Sequence, residues 1–166
     1  RFPEEGDYTL SLRVKDKCGN AAGEGEPLAF VIDQTAPEVS ITFEENQSLR
    51  NETYFRSPRT AVIVFRDRNP DMENMGIALD TEDFAGKDLG EGNAYTLRML
   101  KQRVGTGALF SVVSCEDSAD EESGEQCMDE RTVTVKVQFH PDAVYTVREI
   151  FCRDLAGNRA ESPRYD

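Results

Sequence analysis

The four cysteines are the residues of this chain with the clearest capacity for covalent chemistry. None of them forms the C-x-x-C pair that is typical of zinc and redox sites, so disulfide formation is the expected chemistry. Cys115 and Cys127 flank a strongly acidic run that has no large apolar side chain to hold it in place. We therefore predict a Cys115–Cys127 disulfide, which requires an oxidising, extracytoplasmic compartment. The alternative is a pair of unpaired thiols in a cytosolic protein.

The sequence contains few candidate catalytic residues. His140 is the only histidine and stands beside Pro141 in a predicted turn, so it supports neither a multi-histidine metal site nor a catalytic triad. Carboxylates are numerous, but number alone does not place two of them across a cleft, as a glycosidase requires. The chain also has no Trp, which disfavours a carbohydrate-binding platform. We expect no enzymatic activity.

Two aspartates open equivalent turn motifs. Asp16 and Asp154 each begin the sequence Asp-x-x-Gly-Asn. In a tight hairpin of this kind the carboxylate accepts backbone N–H bonds and the glycine takes a positive φ, so the leading interpretation is structural. Calcium is the alternative, because its ligands are oxygens and Asp33, in the predicted joint between modules, could approach these carboxylates. The acidic run at residues 116–125 is a weaker candidate for the same ion.

The charge and hydropathy of the chain disfavour several classes of partner. Lys and Arg total 19 against 32 Asp and Glu, a formal net charge of -13. Binding to nucleic acid or to an anionic membrane surface is therefore disfavoured. No stretch reaches the roughly 18 to 20 apolar residues of a membrane helix, and the N-terminal residues lack the features of an export signal. We expect any signal or anchor to lie outside this chain.

Segments with alternating apolar and polar residues predict that β-strands position these side chains. The clearest segment is Thr132–Phe139, in which every odd-numbered residue is apolar. We find no convincing amphipathic helix. About seven strands separated by turn-forming residues are typical of an antiparallel sandwich, so the predicted class is all-β. The other predicted strands lie at residues 28–32, 39–43, 61–66, 77–79, 95–100, 108–115 and 145–153.

An internal repeat predicts the domain organisation. The segment Tyr8–Asn20 reappears as Tyr145–Asn158, and each copy reads as tyrosine, strand and Asp-x-x-Gly-Asn. The late copy has an extra residue, which fits a β-bulge near Arg148 and Glu149. A repeat of module size indicates tandem domains rather than a solenoid.

The repeat divides the chain into parts of two modules. Residues 1–33 are predicted to be the C-terminal hairpin of one module, residues 34–38 a short linker stiffened by Pro37, and residues 39–166 a second module. Two interpretations of the last strand of the second module stay open. Either the strand is absent, or residues 28–32 of this or another copy supply it.

Four segments carry a resemblance to a known family: Ile32–Val39, Arg59–Asp67, Tyr145–Val147 and Cys152–Asn158. Together they resemble the bacterial immunoglobulin-like modules that are arrayed in surface proteins of Gram-positive bacteria. The resemblance spans most of residues 33–160 and departs from the family in the acidic insert between Cys115 and Cys127 and in the strand Ala108–Val113 before it. It implies an immunoglobulin-like antiparallel β-sandwich with Greek-key connections, and it brings no catalytic residues.

The resemblance also implies a role. In such a sandwich Tyr145 stands where a tyrosine corner is found, with its hydroxyl bonded to nearby backbone, and Tyr8 is its equivalent in the preceding module. We expect a non-catalytic structural or adhesive repeat module of a secreted or cell-surface protein. Its partners would be neighbouring modules of the same chain, with a host protein or glycan as a further partner.

A second function stays open beside this one. The chain could be a glycan- or protein-binding accessory module of a secreted hydrolase, stabilised by calcium. That reading predicts an exposed aromatic patch, for which Tyr54, Phe55 and Tyr95 are the candidates.

Overall fold

A computed structural model of the chain describes residues 4–21, 23, 25–44, 48–50, 54–90, 94–118, 130–140 and 142–161, without the side chains of residues 48–50 and 54. The chain divides into two units, Arg1–Thr35 and Ala36–Asp166. The division falls inside the linker predicted at residues 34–38.

The first unit contains a two-stranded antiparallel hairpin. Strand β1 (Gly6–Leu10) pairs with β2 (Leu28–Ile32) in a register that sets Tyr8 opposite Phe30. The two rings stack with their centroids 5.4 Å apart. Leu28 nevertheless remains 62% exposed. The hairpin therefore buries little apolar surface, and a two-stranded hairpin is at best marginally stable in water.

The second unit contains two larger antiparallel sheets. One has the strand order β3-β6-β10-β9, the other has the order β11-β7-β8, and β4 and β5 form a separate hairpin. The elements in chain order are β3 (Glu38–Phe43), β4 (Ser48–Arg50), β5 (Tyr54–Phe55), β6 (Arg59–Asp67), β7 (Pro70–Glu82), β8 (Ala94–Thr96), α1 (Leu97–Gln102), β9 (Phe110–Asp117), β10 (Arg131–Phe139) and β11 (Val144–Asp154). The described chain is thus all-β with one short helix.

Both larger sheets contribute side chains to one hydrophobic core. On β10, Val133, Val135 and Val137 are fully buried while the residues between them are partly exposed, as the two-residue period of a strand requires. β10 pairs with β6 on one side and with β9 on the other. The other sheet adds Met75, Ile77, Leu79, Ile150 and Cys152 to the same core.

Most of the predicted strands are confirmed. β2 has the predicted bounds, and β10 and β11 match the predicted strands to within one residue at each end. The bulge predicted near Arg148 and Glu149 is confirmed by a register shift between Val147 and Glu149. The strand predicted at residues 95–100 is wrong beyond Thr96, because α1 begins there.

The expectation that the chain has no helix fails at α1. The side chain of Thr96 caps the helix by accepting a hydrogen bond from the backbone N–H of Met99 at 3.3 Å. Leu97 and Leu100 are both fully buried, and their spacing of three places them on one face of the helix. A helix of six residues is too short for a 3.6-residue period to show in the sequence.

In the described parts of the chain, no helix is long and apolar enough to cross a membrane.

β7 is longer than the strand predicted at residues 77–79, and Gly76 lies near its middle. Gly76 pairs with Thr96 of β8 and with Phe151 of β11. A Cβ atom at Gly76 would lie 2.9 Å from the Cα of Thr96 and 2.8 Å from the ring of Phe151. Glycine therefore permits the close approach of the three strands of this sheet.

Substitution Gly76→Ala is expected to lower the free energy of unfolding of the second unit by about 1–3 kcal/mol, the usual cost of overpacking. Urea unfolding measures it. The control is Glu73→Ala on the same strand, which removes only a solvent-exposed ion pair with Arg98 and should cost less than about 1 kcal/mol. An unchanged free energy for Gly76→Ala would contradict the close approach.

Candidate metal centre

The two Asp-x-x-Gly-Asn turns have the same geometry. In the first unit, Asp16 Oδ1 accepts the backbone N–H of Asn20 at 2.8 Å and Asp16 Oδ2 accepts its side-chain amide at 2.7 Å. In the second unit, Asp154 and Asn158 make the same two bonds at 2.8 and 2.7 Å. The glycine of the motif has a φ of +90° in the first turn and +97° in the second. The predicted turn chemistry is confirmed.

A third turn of this type follows β7 and was not predicted. Asp83 Oδ1 accepts the backbone N–H groups of Ala85 and Lys87 at 2.8 and 2.9 Å, and Gly86 has a φ of +77°. Lys87 stands where the other two turns have Asn, so this copy has no side-chain amide to bond the carboxylate. The sequence signal that remains is the Asp-x-x-Gly spacing alone.

Burial distinguishes the two predicted aspartates. Asp154 is 1% exposed, whereas Asp16 lies on the surface. The pKa of Asp16 lies below its usual range, chiefly because the side chain of Asn20 donates a hydrogen bond to the charged form. In each turn Oδ1 accepts two hydrogen bonds and Oδ2 accepts one, out of about four lone pairs. Each carboxylate is therefore engaged as the hydrogen-bond acceptor of its own turn.

A second buried carboxylate lies next to Asp154. Asp67 ends β6, is 6% exposed, and has a carboxylate oxygen within 4.8 Å of one of Asp154. Asp67 Oδ1 also accepts the backbone N–H of Asn69 at 2.6 Å. Carboxylate oxygens are the type of ligand that Ca²⁺ prefers. Two such donors are nevertheless fewer than the six to eight ligands, roughly, that the ion takes. Asp67 was missed because only the fold brings the ends of β6 and β11 together.

The other predicted calcium ligands belong to the first unit. Asp33 follows β2, and its Oδ1 accepts the backbone N–H of Thr35 at 3.2 Å. Asp16 holds its own turn. Most of the acidic run at residues 116–125 lies outside the described residues. Calcium binding by Asp16, Asp33 and Asp154 stays a prediction.

The thiol of Cys152 lies beside the carboxylate pair. Burial, followed by the negative charges of Asp67 and Asp154, raises its pKa to about 12. A thiol with so high a pKa is almost entirely protonated at neutral pH, and the thiolate is the form that attacks. Cys152 is therefore a packing residue of the core rather than a nucleophile.

The predicted disulfide stays a prediction, because Cys127 lies outside the described residues. Cys115 is half-buried in β9. Near this point an ion pair joins the ends of the strands that flank the acidic insert: Arg131 Nε donates to Asp117 Oδ1 at 2.8 Å. The side chain of Asp117 is fully buried. This ion pair holds together the ends of the two strands that flank the insert.

The two tyrosines predicted as tyrosine corners bond to different parts of the chain. The hydroxyl of Tyr8 donates to the carbonyl of Glu4, four residues upstream, at 2.7 Å. The hydroxyl of Tyr145 donates to the carbonyl of Leu109, 36 residues earlier. The ring of Tyr145 also packs against Phe139, with centroids 4.9 Å apart. Tyr145 thus ties the beginning of β11 to the chain that leads into β9.

The single histidine is also tied to the start of β9. His140 Nδ1 lies 3.1 Å from the carbonyl oxygen of Ala108, and Nε2 lies 3.2 Å from Ser111 Oγ. These contacts occupy both ring nitrogens. The sequence predicts a surface turn for this residue, and the side chain is in fact partly buried. Its contacts hold the turn that follows β10 against the start of β9.

Two of the three aromatic residues considered for a glycan platform pack against neighbours. The guanidinium of Arg59 lies 4.1 Å from the centroid of the Phe55 ring. Tyr95 meets Phe110 edge to face at 4.9 Å. The side chain of Tyr54 is outside the described residues. Phe55 and Tyr95 are thus both half-buried.

Substitution Asp154→Ala is expected to lower the free energy of unfolding of the second unit by about 1–3 kcal/mol, because it leaves three partly buried donors without the buried carboxylate that accepts their hydrogen bonds. The control is Asp83→Ala, which removes the same kind of turn acceptor at a solvent-exposed position and should cost about 1 kcal/mol or less. Urea unfolding measures both. Equal losses of unfolding free energy in the two variants would show that the burial of Asp154 adds nothing to the cost of removing the carboxylate.

The raised pKa of Cys152 predicts a loss of stability at alkaline pH. The folded state favours the neutral thiol, so this contribution is fully present below the ordinary thiol pKa of 9.0 and is lost as pH rises towards about 12. The free energy of unfolding should therefore fall more steeply over this range in the wild type than in Cys152→Ala. Tyr145, whose pKa burial also raises, titrates in both proteins and cancels. Identical slopes of the free energy of unfolding against pH in the two proteins would contradict the raised pKa of Cys152.

Comparison with protein-family models, with curated proteins and with solved structures finds no match for this chain. The second unit brings Asp67, Cys152 and Asp154 together. Of these three residues, Asp67 was not a candidate from the sequence.

Proposed function

We propose that the second unit is an immunoglobulin-like module of a tandem array and that the first unit is the last hairpin of the preceding module. The array would act as a structural spacer or adhesive segment of a secreted or cell-surface protein. The observation that carries this proposal is one hairpin geometry that occurs in both units. The neighbouring modules of the same chain are its first partners, and a host protein or a glycan is a further one.

The repeated hairpin extends beyond the aspartate turn. In the first unit an isolated antiparallel bridge joins Lys15 and Ala21 on the two sides of the turn. In the second unit a bridge joins Arg153 and Arg159 at the equivalent positions. Two modules that share the strand, the turn and the start of the returning chain are what tandem duplication produces.

The strand order supports the immunoglobulin-like part of the proposal. Such sandwiches place strands A, B, E and D in one sheet and strands C, F and G in the other, to which some members add C′. The sheet β3-β6-β10-β9 corresponds to A-B-E-D, and the sheet β11-β7-β8 corresponds to F-C-C′. The chain then crosses from one sheet to the other after β6, after α1 and after β10, as Greek-key connections require. β1 and β2 correspond to strands F and G of the preceding module.

The chemistry of the described side chains supports a non-catalytic role. The ring nitrogens of His140 and the carboxylates of Asp16 and Asp154 are engaged in holding turns. Cys152 is a protonated core thiol. The alternative function, a glycan-binding accessory module, calls for an exposed aromatic surface, which Phe55 and Tyr95 do not provide.

The location of the protein tests this proposal. An antibody raised against the folded chain should stain intact cells that express the full-length protein, or detect it in their medium. An antibody against a cytosolic protein of the same cells is the control and should stain only after permeabilisation. If both antibodies need permeabilisation, the proposed location is wrong.

The oxidation state of the cysteines is a second readout on the same material. A Cys115–Cys127 disulfide would lower the intact mass by about 2 Da relative to the reduced protein, because two hydrogen atoms leave when the bond forms. The matched control is Cys127→Ser, for which the difference should vanish. A full set of reactive thiols in protein recovered from the medium would contradict the disulfide.

A further inference from the structure

One edge of the second unit is open to a further strand. β11 lies at the end of the sheet β11-β7-β8 and pairs with β7 on its inner side. On the outer side the described residues supply the Arg153–Arg159 bridge, with hydrogen bonds from the N–H of Ala160 to the carbonyl of Cys152 at 3.0 Å and from the N–H of Asp154 to the carbonyl of Asn158 at 3.1 Å. Opposite Val144–Val147 no described strand pairs on this side. The backbone groups of such an edge are a template for strand addition.

The first unit shows which strand fits an edge of this kind. β1 is the repeat equivalent of the beginning of β11, and it pairs with β2 so that Phe30 lies opposite Tyr8. The same register on β11 sets Phe30 opposite Tyr145 and Leu28 opposite Val147. Directly opposed residues point to the same face of a sheet. Because Tyr145 and Val147 pack against the hydrophobic core, Phe30 and Leu28 would extend that core.

We propose that this edge of β11 accepts β2 from a second copy of this chain. Burial favours the exchange, since Leu28 is 62% exposed where β2 pairs with β1 and would lie opposite Val147 on the core face of β11. Opening the β1–β2 hairpin costs little, because a two-stranded hairpin has almost no core to lose. An open groove of about 220 Å³ lies beside β11 at residues 149–153.

The proposed contact joins unlike surfaces and so does not close on itself. The donor strand belongs to the first unit of one copy and the acceptor edge to the second unit of the next. A heterologous contact of this kind generates a series of oligomers rather than a single closed dimer. The inference depends on the repeated hairpin and stands whether or not the protein is displayed at a surface.

Sedimentation velocity tests the exchange in a Cys18→Ser background, because Cys18 is an exposed free thiol that could join copies by oxidation. The protein is expected to sediment as a monomer at low micromolar concentration and as a series of larger species near millimolar concentration. Phe30→Asp should weaken association by about tenfold or more, which corresponds to 1.4 kcal/mol. Val31→Asp adds the same charge on the opposite face of the strand and should weaken it less.

The acceptor edge is tested separately with a synthetic peptide of residues 25–34. The peptide is added to the Phe30→Asp variant, whose own donor strand is impaired and whose β11 is intact. Amide exchange at residues 144–147 should slow by about tenfold at saturating peptide, and a peptide carrying Phe30→Asp should have no effect. The proposal is overturned if the Cys18→Ser protein stays monomeric, or if the peptide leaves the exchange of β11 unchanged.

Discussion

A single hydrophobic core shared by two sheets is the constraint on which the second unit depends. β10 occupies an inner position of its sheet, and three of its valines point into the core with no exposure. A shift of one residue in the register with β6 or β9 would turn these valines to the opposite face, so the core fixes the register of three strands at once. The glycine in β7 then allows the other sheet to close tightly, and α1 covers part of the same core with two leucines.

Carboxylate-held turns complete this arrangement at the strand ends. Asp154 ends β11 inside the protein, and its hydrogen bonds reverse the chain without leaving a buried charge unsolvated. Asp16 makes the same turn on the surface of the first unit. One motif thus serves in two environments, which is the behaviour expected of a module feature that is repeated along an array.

Local features of the structure could be predicted from the sequence, and features that depend on distant pairing could not. The alternation of β10 and the Asp-x-x-Gly-Asn turns are encoded by neighbouring residues, so the period of two and the spacing of the motif were sufficient. α1 was missed because two leucines spaced by three are too few to reveal a helical period. The approach of Asp67 to Asp154 and the bond from Tyr145 to Leu109 join residues that are far apart in the chain. Only the pairing of strands brings them together, and a single sequence carries no signal for it.

We infer that the second unit folds as a self-contained module, whereas the hairpin of β1 and β2 lacks a core of its own. Amide hydrogen exchange measured along the whole chain tests it most directly, because the free energy of opening is obtained for each element separately. The amides of β6 and β10 should share one large opening free energy, equal to that of global unfolding of the second unit. Those of β1 and β2 should exchange through an opening that costs far less. If β1 and β2 were protected to the same extent as β6 and β10, the two units would unfold as one, and the division into parts of two modules would be wrong.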